Sequence, residues 1–144
     1  MNSTFAVVLD YNGGVKTDLL VHQLREVNTE IPIHVLDNGS NPDKRSSFVT
    51  HETGENLGIG DGINCCIELA KDSGAQRLCF IVNDISLPNG AFQIPHLEYP
   101  FAYKDTVAVS AVVTEQRNQA MLYPWMIQDN PDIRKYRKVP HADF

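Results

Sequence analysis

Short apolar runs alternate with helical repeats along the first part of the chain. The run Phe5–Leu9 is followed by the polar segment Asp10–Gly14, a pattern typical of a buried strand and a turn. Apolar residues then recur at i, i+4 and i+7, with polar residues between them. This spacing predicts an amphipathic helix over Lys16–Val27.

The same alternation continues beyond this helix. Ile33–Leu36 predicts a second strand, and Phe48–His51 predicts a short third one. A glycine-rich loop is expected over Gly54–Gly62, and the apolar spacing of Ile63–Ala70 predicts a second helix after it. The fully apolar run Leu78–Val82 predicts a fourth strand.

These elements predict an α/β fold. Strands that read as continuous apolar runs and alternate with helices form mostly parallel sheets with helices on both faces. We therefore expect one Rossmann-like sheet in a single domain over residues 1–144. The pattern weakens after Leu87, where Val107–Val113 is the clear strand and prolines interrupt the remaining sequence.

Composition and charge exclude several classes of function. The chain has 144 residues, of which 42% are hydrophobic, as expected for one globular domain. Its net charge of −6 makes it a poor general binder of nucleic acid, because phosphate neutralisation needs a surplus of cations. No apolar run approaches the roughly 20 residues that span a bilayer. The three cysteines lack zinc-type spacing and are typical of reduced thiols in a cytoplasmic protein.

Polar clusters follow three of the predicted strands, and a polar glycine-rich segment precedes the second helix. They are Asp10-Tyr11-Asn12, Asp37-Asn38-Gly39-Ser40, Asn83-Asp84 and Glu55–Gly62. Any one of them could be ordinary turn chemistry, since Asp, Asn and Gly are common turn residues. In open parallel sheets, however, ligands bind at the carboxyl ends of the strands. We therefore expect the clusters to meet around one ligand.

The chemistry of these clusters suits a nucleoside diphosphate. The Asp37 carboxylate could accept a hydrogen bond from the imide N–H of uracil or thymine, which adenine lacks. Tyr11 offers a flat face on which a base can stack. Asp84 presents hard oxygen ligands to a divalent cation, which would bridge to diphosphate oxygens and offset the negative charge of the chain.

In this order, the clusters resemble segments of the family 2 glycosyltransferases of the GT-A fold, above all their rhamnosyltransferase-like branch. Tyr11-Asn12-Gly13 resembles the family's "YN" segment, and Val35–Ser40 is similar to "VDN(G/A)S". Glu55–Gly58, with Asn64 after it, resembles "ENLGF…GN". Phe80–Asp84 looks like "LLNND", the branch's form of the metal-binding DxD motif. The resemblance covers residues 4–87.

The resemblance implies a role for each cluster. Asp37 would read the pyrimidine base, Tyr11 and Asn12 would line the nucleoside pocket, and Asn56 would lie under the nucleotide or sugar. Asp84 would hold Mn²⁺ or Mg²⁺ on the diphosphate, with Asn83 beside it. The residues that it implies for nucleotide-sugar binding are Asp10, Tyr11, Asn12, Asp37, Asn38, Asn56, Asn83 and Asp84.

The family transfers a sugar from a nucleoside diphosphate donor to an acceptor hydroxyl, with inversion. Here the resemblance implies a UDP- or dTDP-linked donor, and an acceptor that is a saccharide, a lipid-linked molecule or a protein. The alternative expectation is a non-catalytic module of the same fold that binds a nucleotide sugar or a partner.

The sequence departs from the family pattern at several positions. Val82 stands where the family usually has Asn or Asp, so Asp84 is the single acid of the expected metal site. Asp10 stands where Thr, Asn or Ser is more frequent, and it adds negative charge near the expected diphosphate. No acidic pair after Val113 matches the family's catalytic base, and the chain ends at Phe144. The expectation is therefore a minimal or truncated GT-A domain whose catalytic residues are unknown.

Simpler interpretations stand beside these roles. Asp84 could cap a turn, and Asp37 could form an Asx turn with Gly39. The glycines of the segment Gly58–Gly62 suggest a dinucleotide fingerprint, but that motif belongs directly after the first strand. The basic cluster Arg134–Lys138 could contact a diphosphate, an acidic acceptor or the surface of a membrane, or could be a solvated face.

Overall fold

The computed structural model of the chain describes residues 4–87, 92–103 and 109. Its strands are β1 (Thr4–Asp10), β2 (Ile33–Asp37), β3 (His51–Glu52) and β4 (Arg77–Val82). Its helices are α1 (Gly14–Val27), α2 (Gly58–Asp72) and α3 (Ile94–Glu98). The chain divides into two compact units, Met1–Ile94 and Pro95–Phe144, and all four strands lie in the first.

The four strands form one parallel sheet in the order β3-β2-β1-β4. This confirms the predicted α/β fold with a parallel sheet. From β1 the chain moves outward to β2 and β3 and then returns to pair β4 with the other side of β1. The strand order therefore reverses between β1 and β4, and a crevice opens at the carboxyl ends of strands at such a point.

Strand β1 is the centre of the core, and every one of its residues is buried. Its odd-numbered apolar residues Phe5, Val7 and Leu9 cluster with Cys66 and Ala70 of α2. Alternate residues of a strand point to opposite faces of the sheet, so the even-numbered residues of β1 lie on the other face. Each fully buried aliphatic side chain contributes about 1.5–3 kcal/mol through burial.

Helix α1 covers that other face. Its buried side chains Leu20, Val21 and Leu24 recur at helical spacing, which gives the helix one apolar stripe. The α1 connection runs from β1 to β2, whereas the α2 connection runs from β3 back to β4. Crossover connections between parallel strands are right-handed. Because the two connections run across the sheet in opposite directions, α1 and α2 lie on opposite faces of the sheet.

Besides one-residue extensions of β1, β2 and β4, three boundaries differ from the sequence expectation. Helix α1 begins at Gly14 rather than Lys16. The third strand is His51–Glu52 and not Phe48–His51, because its pairing with β2 begins only where His51 meets Leu36. The expected glycine loop ends early, since Gly58–Gly62 forms the beginning of α2. Shortly after the end of α2, Gly74 adopts a φ of +73°, a left-handed conformation that favours glycine and ends helices.

The expected strand Val107–Val113 and the basic cluster Arg134–Lys138 fall outside the described residues, apart from Val109. Within residues 4–87, 92–103 and 109, none of the helices is both long and apolar enough to cross a bilayer.

Candidate functional site

An open pocket of about 300 Å³ lies at the carboxyl ends of β1 and β4, where the strand order reverses. Leu9 and Val82, which pair across β1 and β4, contribute to its wall. The first turn of α2 contributes Gly58 and Ile59. The pocket therefore occupies the crevice at which parallel α/β sheets bind ligands.

Five of the eight residues predicted from the sequence line this pocket. They are Tyr11, Asn38, Asn56, Asn83 and Asp84. They come from the loops that follow β1, β2 and β4 and from the segment before α2, as the strand-end argument expects. Asp10, Asn12 and Asp37 lie at the same edge of the sheet but are not part of the pocket wall.

The turn after β4 supplies the polar side of the pocket. Asp84 is exposed there and Asn83 is half-buried. The side-chain amide nitrogen of Asn83 donates a hydrogen bond of 2.6 Å to Asp10 Oδ1. Because the amide nitrogen of Asn83 donates to Asp10, its amide oxygen is the group that can accept from or coordinate a ligand.

Tyr11 gives the pocket an exposed aromatic face. Tyr11 is 48% exposed, a much larger fraction than that of an aromatic side chain that packs only in the core. Next to it, Asn12 adopts a φ of +55°, and its backbone N–H donates to Ser40 Oγ at 2.8 Å. Asn12 Oδ1 in turn accepts the N–H of Asn41 at 2.8 Å. Asn12 thus joins the loops after β1 and β2, and this junction fixes the backbone beside Tyr11.

Asn38 fixes the start of α2 against the sheet. Its side-chain nitrogen donates to the Gly58 carbonyl at 3.0 Å, and its oxygen accepts the N–H of Leu57 at 3.2 Å. Asn56 Oδ1 accepts the N–H of Gly58 at 2.8 Å. The bonds from the Leu57 and Gly58 N–H groups satisfy donors that otherwise lack partners at a helix start, and the bond to the Gly58 carbonyl adds a further link. They explain why the glycine-rich segment is helical from Gly58 onward.

Asp37 is buried beside the pocket and is paired with a cation. Its Oδ1 accepts the N–H of Ser40 at 3.0 Å, which is the Asx turn foreseen as the simpler interpretation. Its Oδ2 lies 3.2 Å from Nε of Arg45, and Arg45 also pairs with Glu52. The carboxylate is only 6% exposed. Both carboxylate oxygens of Asp37 therefore already have partners in the fold.

Asp10 is fully buried and lies outside the pocket wall. Its Oδ1 accepts three hydrogen bonds: from the Gly13 N–H at 3.1 Å, from Thr17 Oγ1 at 2.7 Å, and from Asn83 at 2.6 Å. A Cβ on Gly13 would come within less than 3.0 Å of the side chains of Asp10, Thr17 and Asn83, so only glycine fits there.

Three residues around the site were given no role by the sequence argument. They are Thr17, Ser40 and Arg45, each of which bonds a predicted residue. Ser40 and Arg45 are in or near the turn cluster after β2, but a hydroxyl or a guanidinium in a turn carries no local signal of its partner. Thr17 is a fully buried polar residue on the sheet-facing side of α1, and a polar residue in an apolar stripe is the available hint.

The donor set of the pocket is compatible with a divalent cation of the hard type. Among the described residues, no group of three or more His, Cys, Asp or Glu side chains could hold a metal. Mg²⁺, however, is usually bound by one or two carboxylates, waters and the phosphates of its ligand. Asp84, with the amide oxygen of Asn83 as a neighbour, fits a Mg²⁺ site of this kind, in which one carboxylate acts together with waters and ligand phosphates.

Comparisons with known proteins add no relative to this description. No family model, no curated protein and no solved structure matches the chain.

Proposed function

We propose that the chain is a glycosyltransferase domain of the GT-A type that transfers a sugar from a UDP- or dTDP-linked donor to an acceptor hydroxyl with inversion. The observation that carries the proposal is the position of the pocket. It lies at the reversal of strand order, and an aromatic face, a carboxylate and amide groups line it. These are the groups that a base, a metal-bound diphosphate and sugar hydroxyls require.

In this proposal Asp84 holds Mn²⁺ or Mg²⁺, and the amide oxygen of Asn83 supports it. When bound, the cation neutralises charge that develops on the leaving diphosphate. Tyr11 stacks on the base, and Asn38 and Asn56 hold the start of α2 in place beneath the nucleotide. Asp37 accepts the imide N–H of the base while it keeps its pairing with Arg45.

A second candidate is a non-catalytic module that binds the same nucleotide sugar. It is favoured by the number of carboxylates, because Asp84 is the single acidic side chain among the described residues that line the pocket. An inverting transfer needs a base to take the acceptor proton in addition to the metal ligand.

The test is thermal unfolding of the full chain with UDP, dTDP, GDP or ADP, each with and without Mn²⁺. A ligand at 100 times its Kd stabilises the folded state by about 2.7 kcal/mol, which raises the melting temperature by several degrees. We expect this rise with UDP or dTDP in the presence of Mn²⁺. If neither pyrimidine nucleotide stabilises the protein with the metal present, both candidates are wrong.

A matched pair of variants locates the effect. Asp84→Asn should remove the metal-dependent stabilisation, whereas Asp61→Asn removes the same charge from an exposed position outside the pocket wall and should retain it. Hydrolysis of the sugar donor then separates the candidates. Turnover by the wild type that Asp84→Asn lacks supports the enzyme, and binding without turnover in the presence of candidate acceptors supports the module.

A further inference from the structure

The carboxylate of Asp10 carries an unexplained energetic cost. The residue is fully buried, and within the described part of the chain its Oδ2 is a buried oxygen without a hydrogen-bond partner. A buried polar atom left unpaired destabilises the folded state, because it has lost its bonds to water and gained none in return. Natural structures contain few such atoms, and each calls for a physical reason.

Support of helix α1 does not supply that reason. The Gly13 N–H and the Thr17 hydroxyl both donate to Oδ1, so Asp10 does hold the start of α1. Ser, Thr or Asn can accept such hydrogen bonds at a helix start equally well, without a buried charge. What a carboxylate adds is a stronger bond, because a charge-assisted hydrogen bond is roughly twice as strong as a neutral one.

The third bond of Oδ1 connects Asp10 to the pocket. Asn83 donates to it at 2.6 Å, the shortest of the three, and the same nitrogen lies 3.5 Å from the Tyr11 carbonyl. Both Asn83 and Tyr11 line the pocket, whereas Asp10 lies behind it. The carboxylate therefore ties together the two loops that meet at the reversal of strand order.

We propose that Asp10 is a positioning residue: through its bond to Asn83 it fixes the turn after β4, and so sets the place of Asp84 at the edge of the pocket. The inference rests on the proposed function for its ligand, Mn²⁺ with a pyrimidine nucleoside diphosphate. Groups that orient a metal ligand from behind typically change metal affinity by roughly 10–100-fold when they are removed.

The test compares Asp10→Asn with Thr17→Val in the full chain. Asp10→Asn keeps an acceptor oxygen and the side-chain volume, so it should fold, but its bond to Asn83 loses the charge. Thr17→Val removes a different donor to the same oxygen and leaves the Asn83 bond in place. The first readout is the Kd of Mn²⁺–UDP, and the second is hydrogen exchange of the backbone amides of residues 83–86 without any ligand.

We expect Asp10→Asn to raise the Kd of Mn²⁺–UDP about tenfold, while Thr17→Val stays within about twofold of the wild type. Exchange at residues 83–86 should be about fivefold faster in Asp10→Asn alone, the ratio that corresponds to the difference between a charge-assisted and a neutral hydrogen bond. A purely structural role predicts otherwise, because the two variants would then change both readouts in proportion to their loss of stability.

Equal effects of the two variants, or wild-type exchange and binding in Asp10→Asn, would overturn the proposal. If Asp10→Asn does not fold, Asn83→Asp replaces it in the exchange measurement, because it sets two carboxylates against each other and should release the same turn. A wild type that does not bind Mn²⁺–UDP overturns the proposed function. Faster exchange confined to Asp10→Asn would even then support the role of Asp10, and unchanged exchange would refute it.

Discussion

Asn83 and Asp10 are joined by a hydrogen bond of 2.6 Å although 73 positions separate them in the sequence. The bond crosses from the end of β4 to the end of β1, the two strands between which the strand order reverses. The bond holds the side-chain amide of Asn83, the residue before Asp84, against a buried carboxylate.

Gly13 should be intolerant of any side chain. A Cβ there would meet Thr17 Oγ1, Asp10 Oδ1 and the Asn83 amide at less than 3.0 Å. Overpacking of this kind costs about 1–3 kcal/mol, so Gly13→Ala should lower the free energy of unfolding by that amount in urea titrations. Gly60→Ala is the control, since its Cβ position has no atom within 4 Å apart from its chain neighbours and the backbone of its own helix. Within α2 that change should be stabilising by about 0.5–1 kcal/mol.

Arg45 should be needed to keep Asp37 in its buried position. Arg45→Ala leaves a carboxylate that is 6% exposed without its cation, and we expect a loss of about 1–3 kcal/mol in unfolding free energy. Lys71→Ala breaks the Lys71–Glu68 pair, in which both side chains are 64% exposed, and should cost no more than about 0.5 kcal/mol.

A second variant checks the cause of that loss. In Arg45→Ala/Asp37→Asn the uncompensated charge is gone, so the double variant should be more stable than the sum of the two single changes predicts. Strict additivity in a double-mutant cycle would show that the ion pair does not explain the cost.

His34 should make stability depend on pH below neutrality. Burial, followed by its interactions with His51 and Arg25, lowers the pKa of His34 from the usual 6.5. As the pH falls, the folded protein then binds fewer protons than the unfolded chain. The contribution of His34 to the free energy of unfolding is therefore fully present above pH 6.5 and is lost as the pH falls through the folded-state pKa. His34→Phe keeps an aromatic ring to stack on Phe5 and should lose less stability than the wild type between pH 8 and pH 5.

Urea unfolding at several pH values measures this difference. His22→Phe, which removes an exposed imidazole from α1, is the control for the loss of one histidine. A wild-type pH dependence that His34→Phe fully retains would rule His34 out as its source.

Cys66 should be chemically inert in the folded protein. Burial, followed by the neighbouring Cys65, raises the pKa of Cys66 to about 12, and thiolates rather than thiols react with alkylating agents. At pH 8 we expect iodoacetamide to modify Cys66 at least about tenfold more slowly in the folded than in the unfolded protein. Mass spectrometry should find label on the half-buried Cys65 first. Early modification of Cys66 would contradict its placement against β1.

The apolar runs and their helical spacing determined the elements, because the periodicity of burial is a local property of the sequence. The four strands, both long helices and the meeting of the polar clusters at one edge follow from it. The pattern did not determine the start of α2, since the groups that stabilise its first turn come from Asn38, on a different loop.

Tertiary structure decided how the polar residues at that edge are used. From the sequence, Asp10, Asp37 and Asp84 are three similar carboxylates that follow three strands. In the fold, Asp10 is buried against Asn83, Asp37 is paired with Arg45, and Asp84 alone is exposed in the pocket. The difference arises from the strand order and from contacts between distant loops, which no local periodicity encodes.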